Sequence, residues 1–189
     1  MTGTWNYADP YAYMDQLTEG LPPVIICLAA NGGIQGKEYC EALPETAEEI
    51  AESVGESYDA GASMVHIHAR DPETIWKGAT TPEVWYDANR RLRERCPEII
   101  INNTTGGDLW MDDEGRLSCL DANPEIASLN LAPDMSKFRL KPRGKEYPHP
   151  RSEINYDDCM PFSYKQISHF AVEMKKRGIK PELEVYHPG

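Results

Sequence analysis

The sequence has little positive charge and no long apolar run. Its 19 lysines and arginines stand against 31 aspartates and glutamates, so the formal net charge is −12 at pH 7. A charge of this sign and size disfavours binding to nucleic acids or to anionic membranes. No apolar stretch approaches the length of a membrane span, and the first residues lack a basic region followed by an apolar core. We therefore expect a soluble, cytoplasmic protein whose partners are small molecules.

Several familiar motifs are also missing. Gly32-Gly33 does not complete a G-x-G-x-x-G pattern, and there is neither a Walker motif nor a C-x-x-C pair. The five cysteines are odd in number and widely spaced. This pattern favours free thiols in a reducing compartment over a disulfide framework or a thiolate metal site.

Short apolar segments alternate with helical patterns, which predicts an α/β fold with parallel strands. Thr46 and Glu49 form a capping box at one helix start, and Thr81 followed by Pro82 marks another. Five strands are predicted, at residues 24–30, at the segment that ends with His66 and His68, and at residues 98–107, 125–131 and 181–187. Residues 132–160 are predicted to be irregular, and one more helix precedes the fifth strand.

The spacing of these elements fits a (β/α)8 TIM barrel better than a doubly wound nucleotide-binding sheet. A complete barrel needs eight strands and about 250 residues. The chain is either a smaller sheet or the front part of a barrel, and we favour the second, because residue 189 falls where a barrel would continue. Residues 1–22 are predicted to be an N-terminal extension, either packed on the body or a partner subunit or loosely ordered. Residues 23–189 are predicted to be a partial barrel that forms the catalytic domain.

The segment His66-Ile67-His68 is the most informative part of the sequence. Alternate side chains of a strand point the same way, so the two imidazoles share one face, about 6.6 Å apart along the backbone. Two imidazoles at that separation can lean together and bind one metal ion, with Zn–N distances of about 2.0–2.1 Å. The alternative is a pair of ordinary histidines, but their place at the carboxyl end of a strand favours the metal site. His187, in a loop beside a proline, is a weaker metal candidate.

Other predicted strands also end in residues that could bind a substrate: Asn31 after the first strand, Thr104, Thr105, Gly106 and Gly107 after the third, and Asn130 after the fourth. In a parallel barrel these ends converge at one mouth. The hydroxyls and backbone N–H groups of residues 104–107 either hold a carboxylate or enolate oxygen or form an ordinary strand-ending turn.

Charged residues near the strand ends add further candidates. Glu182 and Glu184 share one face of the fifth strand, and Glu184 is the better candidate to face the barrel centre, because Glu182 sits at the strand start. A glutamate among apolar neighbours can have a raised pKa and serve in acid–base catalysis, or it can pair structurally with a lysine or arginine. Arg70 would either pair with Asp71 or bind an anionic substrate. The basic residues 137–145 would either screen the phosphates of an anionic cofactor or, as we favour, form a solvated loop.

These motifs together resemble those of the β-keto acid cleavage enzyme family, named for 3-keto-5-aminohexanoate cleavage enzyme. The resemblance extends in order from about Pro22 to Gly189, through Pro-Glu-Thr-Ala-Glu-Glu, Gly-Ala-Ser-Met-Val-His-Ile-His-Ala-Arg, the Ile-Ile-Ile strand that ends in Thr-Gly-Gly, Pro-Glu-Ile-Ala-Ser-Leu-Asn and Lys-Pro-Glu-Leu-Glu-Val-Tyr. It implies a (β/α)8 barrel, zinc (Zn2+) as cofactor and assembly into homo-oligomers. It also implies transfer of the acetate end of a β-keto acid onto acetyl-CoA, which yields acetoacetate and the CoA thioester of the remainder.

By position, the resemblance assigns zinc binding to His66 and His68, substrate contact to Thr104 in place of a serine, and a role in the catalytic network to Glu184. Ile34 stands where the founding enzyme has a glutamate that meets the substrate's amino group, which disfavours an aminated substrate. The family's third zinc ligand, a glutamate, belongs with a neighbouring aspartate and an arginine to later strands that this sequence does not include.

Two alternatives to this enzyme remain. The first is a metal-dependent hydrolase of the amidohydrolase type, which also uses H-x-H but on the first strand, with a lysine ending a middle strand. The second is an inactive truncated product, because two protein ligands would bind zinc weakly and an open sheet edge would tend to aggregate. The sequence specifies neither the keto acid, nor the oligomer number, nor whether a second chain supplies the later strands.

Overall fold

The computed structural model describes residues 9–20 and 24–186. In chain order the elements are α1 (Pro10–Glu19), β1 (Cys27–Ala29), α2 (Ala47–Asp59), β2 (Met64–Ile67), α3 (Pro82–Arg95), β3 (Ile100–Asn103), α4 (Asp113–Leu117), a 3-10 turn (Ser118–Ala122), β4 (Ile126–Asn130), β5 (Asp134–Leu140), β6 (Ile154–Met160), α5 (Tyr164–Arg177) and β7 (Lys180–Glu184). Within these ranges, no helix is long and apolar enough to cross a membrane. Much of the N-terminal extension and His187 lie outside the described residues.

Five strands form one parallel sheet in the order β1-β2-β3-β4-β7. Each strand therefore pairs with the next strand of the sheet along the chain, and helices α2, α3 and α5 lie in three of the crossovers. This arrangement confirms the predicted α/β fold with a parallel sheet. It also brings the carboxyl ends of all five strands to one edge.

One face of the sheet is apolar and supports the helices. Val65, Ile67, Ile101 and Leu129 project from this face and are buried. They belong to a single apolar cluster with residues of the three crossover helices: Ile50, Val54, Trp85, Ala88, Leu92, Phe170 and Met174. Full burial of one such side chain contributes about 1.5–3 kcal/mol, so this layer supplies most of the favourable free energy of folding.

Local sequence signals place the helix ends. The predicted capping box of α2 is present, with the Thr46 hydroxyl accepting from the Glu49 N–H and the Glu49 carboxylate accepting from the Thr46 N–H. Thr81 occupies the N-cap of α3 as predicted, although its side chain makes no capping hydrogen bond. Gly178 ends α5 with a φ of 71°, a left-handed conformation that glycine adopts without steric cost.

The prediction that residues 132–160 are irregular was wrong. They contain an antiparallel hairpin in which β5 pairs with β6 from Asp134 opposite Met160 to Leu140 opposite Ile154. The signal for this strand was the alternation in its second half, where Lys137 and Arg139 are exposed and the apolar Phe138 and Leu140 are less so, although Met135 in the first half is 76% exposed.

The prediction of a solvated basic loop at residues 137–145 was also wrong in part. Lys137 and Arg139 lie on strand β5, but the side chain of Arg143 has no solvent exposure. Its guanidinium binds both carboxylate oxygens of Glu45, at 2.7 and 2.9 Å, and one oxygen of Glu38 at 2.9 Å. This buried ion cluster ties the segment after the hairpin's first strand to the loop between β1 and α2.

The first strand is shorter and more exposed than predicted. The apolar run from residue 24 suggested a strand buried on both faces, whereas Val24, Ile25 and Ile26 are 76, 59 and 56% exposed and precede β1. The physical reason is position, because β1 is an edge strand of the sheet that the described residues form, and none of their strands covers its outer side. The opposite edge, β7, leaves Leu183 similarly exposed at 61%.

Candidate metal and substrate site

The two histidines of the H-x-H motif meet at the carboxyl end of β2. His66 is in the strand and His68 follows its last residue, so both side chains point to the sheet's second, polar face. Their Nε2 atoms are 3.3 Å apart, and the rings are inclined by 67°. Each imidazole thus offers its Nε2 atom to the same point in space.

The backbone of His68 is held by the side chain of Asn31, which follows β1. The Asn31 amide oxygen accepts from the His68 N–H at 3.0 Å, and the amide nitrogen donates to the His68 carbonyl at 2.9 Å. Burial, together with the nearby His66 and Arg70, lowers the pKa of His68 to about 3. His68 is therefore neutral near pH 7, which is the state in which an imidazole binds a metal.

Two carboxylates from β7 approach His66 from its other side. The Nδ1 atom of His66 lies 3.7 Å from Glu182 Oε2, and ligand atoms of His66, Glu182 and Glu184 all lie within 4.8 Å of one another. The amide nitrogen of Asn102, on β3, donates to Glu182. A metal could be held either between the two Nε2 atoms or between His66 Nδ1 and the two carboxylates.

Glu184 is half-buried near the end of β7. Burial raises the pKa of its carboxyl group, while a hydrogen bond from the Tyr186 hydroxyl, 2.9 Å from Oε2, works in the opposite direction. The negative charge of Glu184 also raises the pKa of Tyr186, although burial of the phenol is the larger cause. A carboxyl group with a raised pKa can hold or release a proton closer to neutral pH than an exposed one can.

The hydroxyls after β3 form a compact cluster with Ser128 of β4. Thr105 donates its hydroxyl to the Ser128 carbonyl at 2.6 Å and its N–H to the Ser128 hydroxyl at 3.0 Å. The Thr104 hydroxyl accepts from the Gly106 N–H at 3.1 Å and lies 3.4 Å from the Ser128 hydroxyl. Either hydroxyl of the Thr104–Ser128 pair can be the donor, so the cluster has a proton that a ligand oxygen could take up.

Asn130 and Gly107 complete the predicted strand-end set. The side chain of Asn130 is buried, and its Oδ1 atom has no hydrogen-bond partner in the part of the chain that the structure describes. A methyl group at Gly106 would lie 3.2 Å from Thr104 Oγ1 and 3.4 Å from Asn130 Nδ2, so these polar groups surround the Gly106 backbone. Gly107 has a φ of 62°, and a side chain there would meet Met111 and Arg116. Gly107 is thus required by its backbone conformation and by the close packing of the loop, whereas Gly106 is only tightly packed.

Arg70 lies apart from this cluster. Its guanidinium donates to the carbonyl groups of Gly32, Gln35 and Ile75 and is buried. The expected pair with Asp71 is wrong, because the Asp71 carboxylate accepts instead from residues 73 and 74. Arg70 holds together the loops that follow β1 and β2, and its contact with a substrate stays a prediction.

Three polar residues of the site were missed from the sequence: Asn102, Ser128 and Glu182, which was set aside in favour of Glu184. Their signal was present, because parallel pairing places His66 beside Asn102 and Ser128 beside Glu182. Residues that are in register across a parallel sheet share a face. Once the polar residues of one strand are known, the residues in register with them on the next strand are therefore expected to line the same site.

Comparison with known proteins identifies the family of the chain. Residues 23–189 match the family model described as beta-keto acid cleavage enzyme. A 3-keto-5-aminohexanoate cleavage enzyme from Fusobacterium nucleatum is 31% identical over 168 residues, which are 88% of this chain and 54% of that protein. A 3-oxoadipate:acetyl-CoA acetyltransferase from Cupriavidus necator is 30% identical over 165 residues, 87% of this chain and 50% of that protein. The chain thus spans about half the length of the curated relatives it matches.

Solved structures show the same fold at lower identity. The chain is similar to ObcA in a binary complex with oxaloacetate, with a TM-score of 0.55 and 21% identity over 76% of this chain and 31% of that one. A ternary complex of ObcA with a C4-CoA adduct and oxalate gives a TM-score of 0.53 and 22% identity, covering 78% of this chain and 32% of that one. These matches support the α/β architecture.

Proposed function

Because the chain belongs to the β-keto acid cleavage enzyme family, we propose that it forms the zinc-binding part of an enzyme that uses acetyl-CoA to cleave a β-keto acid. In this reaction the acetate end of the keto acid joins the acetyl group of acetyl-CoA to give acetoacetate. The remaining acyl group leaves as its CoA thioester. The substrate class rests on the family and on the polar strand ends described above.

The observation that supports the metal assignment is the separation of the two Nε2 atoms. Two nitrogens bound tetrahedrally to one zinc ion, each at about 2.0–2.1 Å, lie about 3.3 Å apart. The Nε2 atoms of His66 and His68 are 3.3 Å apart before any ion is considered. His66 and His68 would therefore hold the metal, and Glu182 would face the outer nitrogen of His66, as carboxylates commonly do behind a metal-bound imidazole.

When bound, zinc would act as a Lewis acid on the oxygens of the keto acid. The side chains and backbone groups of the chain would bind the substrate and transfer protons. Thr104 and the N–H group of Gly107 would hold the substrate carboxylate, with Thr105, Gly106 and Asn130 beside them. Glu184, whose pKa is raised by burial, would orient or move a proton at its carboxylate oxygens.

The substrate tail is proposed to carry no amino group. The side chain of Ile34 is 37% exposed in the loop after β1, where an apolar residue cannot pair with an ammonium group. Removing an ammonium from water without a partner is costly, so an uncharged or anionic tail fits this loop better.

We also propose that the sheet is part of a (β/α)8 barrel, with residues 1–22 as an extension and 23–189 as the barrel part, and that the active protein is a cytoplasmic homo-oligomer. Apolar side chains are exposed at both edges of the sheet, Ile26 at one and Leu183 at the other. Their exposure supports the proposal that further strands or a partner subunit cover both edges. Size-exclusion chromatography with light scattering tests the oligomer. A chain that elutes as a stable monomer would contradict it.

The central test is zinc content and affinity, measured by elemental analysis and by competition with a chromophoric chelator. We expect the wild-type chain to bind one zinc and His66→Ala or His68→Ala to lose it. His169→Ala, on the exposed face of α5, is the matched control and should bind as the wild type does. If both variants keep their zinc, the metal assignment fails.

The reaction itself is tested with a panel of β-keto acids and acetyl-CoA, with acetoacetate as the product measured. Formation of acetoacetate that depends on acetyl-CoA and is lost in Glu184→Gln supports the proposal. Hydrolysis of esters or amides without acetyl-CoA would instead support a hydrolase.

A further inference from the structure

One buried carboxylate near the site has no part in the proposed reaction. Asp108, in the loop after β3, is only 8% exposed. Its Oδ2 atom accepts from the Gly78 N–H at 2.6 Å, and Trp110 and the guanidinium groups of Arg116 and Arg70 lower the pKa of the carboxyl group. Burying a carboxyl group is costly, and here burial raises the pKa of Asp108 despite these donors. A loop that needed only a hydrogen-bond acceptor for Gly78 could use an uncharged residue.

Asp108 and the outer nitrogen of His68 border the same space, which a glycine leaves open. A Cβ atom placed on Gly33 would lie 3.0 Å from His68 Nδ1 and 3.8 Å from Asp108 Oδ1. Gly33 has no such atom, so the space beside both groups stays free. The same residues line a small cavity with Thr104 and Arg116, and its free volume of about 10 Å³ is close to what one water molecule needs.

We propose that one water molecule in this cavity accepts a hydrogen bond from His68 Nδ1–H and donates one to Asp108, so that Asp108 positions His68 with the lone pair of Nε2 turned toward the metal. Asp108 is thus a positioning residue, and its link to the metal rests on the proposed function. In a neutral imidazole one nitrogen carries the proton, and the partner of the outer nitrogen decides which one it is.

The arrangement around the other histidine supports this assignment. His66 also has a carboxylate near its outer nitrogen, since Glu182 Oε2 lies 3.7 Å from Nδ1. Each imidazole of the pair therefore turns Nε2 inward and Nδ1 toward an acid, with a separation of 3.7 Å for His66 and, in this proposal, one bridging water for His68. Partners of this kind fix the tautomer of metal-bound histidines, and their loss typically weakens metal binding about 10–100-fold.

The tautomer of His68 is measured by long-range ¹H–¹⁵N NMR of the metal-free chain. His66→Ala is used as the background, so that the neighbouring imidazole does not decide the result. We expect the proton on Nδ1. In Asp108→Asn the oxygen still accepts from Gly78, but the amide NH₂ takes the place of Oδ1. That group would donate to the water, the water would donate to Nδ1, and the proton should move to Nε2.

Zinc affinity, measured by chelator competition with His66 intact, is the second readout. Asp108→Asn should weaken binding at least about 10-fold. Gly33→Ala, whose added methyl group would occupy the space beside His68 Nδ1, should also weaken zinc binding. Asp157→Asn removes the same charge from an exposed position on β6 and should leave both the tautomer and the affinity unchanged.

The outcomes separate this inference from the proposed function. A proton on Nε2 in the Asp108-containing protein, or a tautomer that Asp108→Asn leaves unchanged, overturns the inference even if zinc binds. If the wild type binds no zinc while the tautomer responds to Asp108, the proposed function fails and the role of Asp108 in orienting His68 stands.

Discussion

Replacement of Arg143 by methionine is expected to destabilise the chain more than any surface change. The Arg143 side chain is fully buried, and its partners Glu38 and Glu45 are 3 and 4% exposed. Methionine has similar length but no charge, so Glu45 would lose both of its guanidinium hydrogen bonds. Glu38 would keep only Arg151, at 2.7 Å. Removing one partner of a buried ion pair costs about 3–5 kcal/mol, because the remaining charge stays buried and unpaired.

That cost is large compared with the total stability of a domain, which is about 5–15 kcal/mol. For a slope of about 2 kcal/mol per molar urea, the unfolding midpoint should fall by about 2 M. The matched control is Arg139→Met, since Arg139 is 65% exposed and lies 3.5 Å from Glu153. This control should cost less than about 1 kcal/mol.

A double variant tests the mechanism of the loss. If the unpaired carboxylate causes it, Arg143→Met combined with Glu45→Gln should cost less than the sum of the single changes, by about 0.5–3 kcal/mol. Equal losses for Arg143→Met and Arg139→Met, or strict additivity with Glu45→Gln, would refute the reasoning. The cluster would then be a set of contacts that contributes little to holding the β1–α2 loop.

Two further predictions follow from the site and from the cysteines. Asn31→Ala should destabilise the chain by about 1–3 kcal/mol for each His68 backbone group left unpaired. It should also weaken zinc binding in the chelator assay described above. Unchanged stability and affinity would contradict the role of Asn31. A thiol reagent should modify Cys27, Cys40 and Cys159 in the folded chain, but Cys96 and Cys119 only after unfolding. Burial and the charge of Glu182 raise the pKa of Cys27, so less of this thiol is ionised near pH 7. Its reaction should therefore be slower than that of Cys159 and should accelerate as the pH rises. Equal rates for the two thiols at pH 7 would contradict this.

Local and periodic signals predicted most of the parallel sheet. The capping box at Thr46 and the apolar stripe of α3 depend on residues three or four positions apart, so the sequence itself contains them. The strand period of two placed His66 and His68 on one face, and the structure brings their Nε2 atoms together. These features need no knowledge of the rest of the fold.

Features that depend on distant partners were not predictable in the same way. Arg143 lies in a basic stretch typical of an exposed loop, and only Glu38 and Glu45, about 100 residues earlier, explain its burial. The apolar residues before β1 suggested a central strand. The exposure of such residues depends on whether another strand lies beside them, which the local sequence does not reveal. Asn31 was expected to bind substrate because it ends a strand, yet its amide is engaged with the His68 backbone. Its substrate contact stays a prediction.

The distribution of unpaired polar atoms links the fold to its proposed chemistry. Among residues 9–20 and 24–186, three buried atoms on the polar face lack a hydrogen-bond partner: His66 Nδ1, Asn102 Oδ1 and Asn130 Oδ1. Each such group costs about 1–3 kcal/mol, so a sheet selected only for stability would replace them with apolar side chains. The opposite face is mostly apolar, with Val65 and Ile101 in the same strands, although it too has one such atom, Asn103 Oδ1. The chain therefore keeps an apolar face that stabilises the fold and a polar face whose unsatisfied groups are available to a ligand, and this division is the physical basis for placing metal and substrate there.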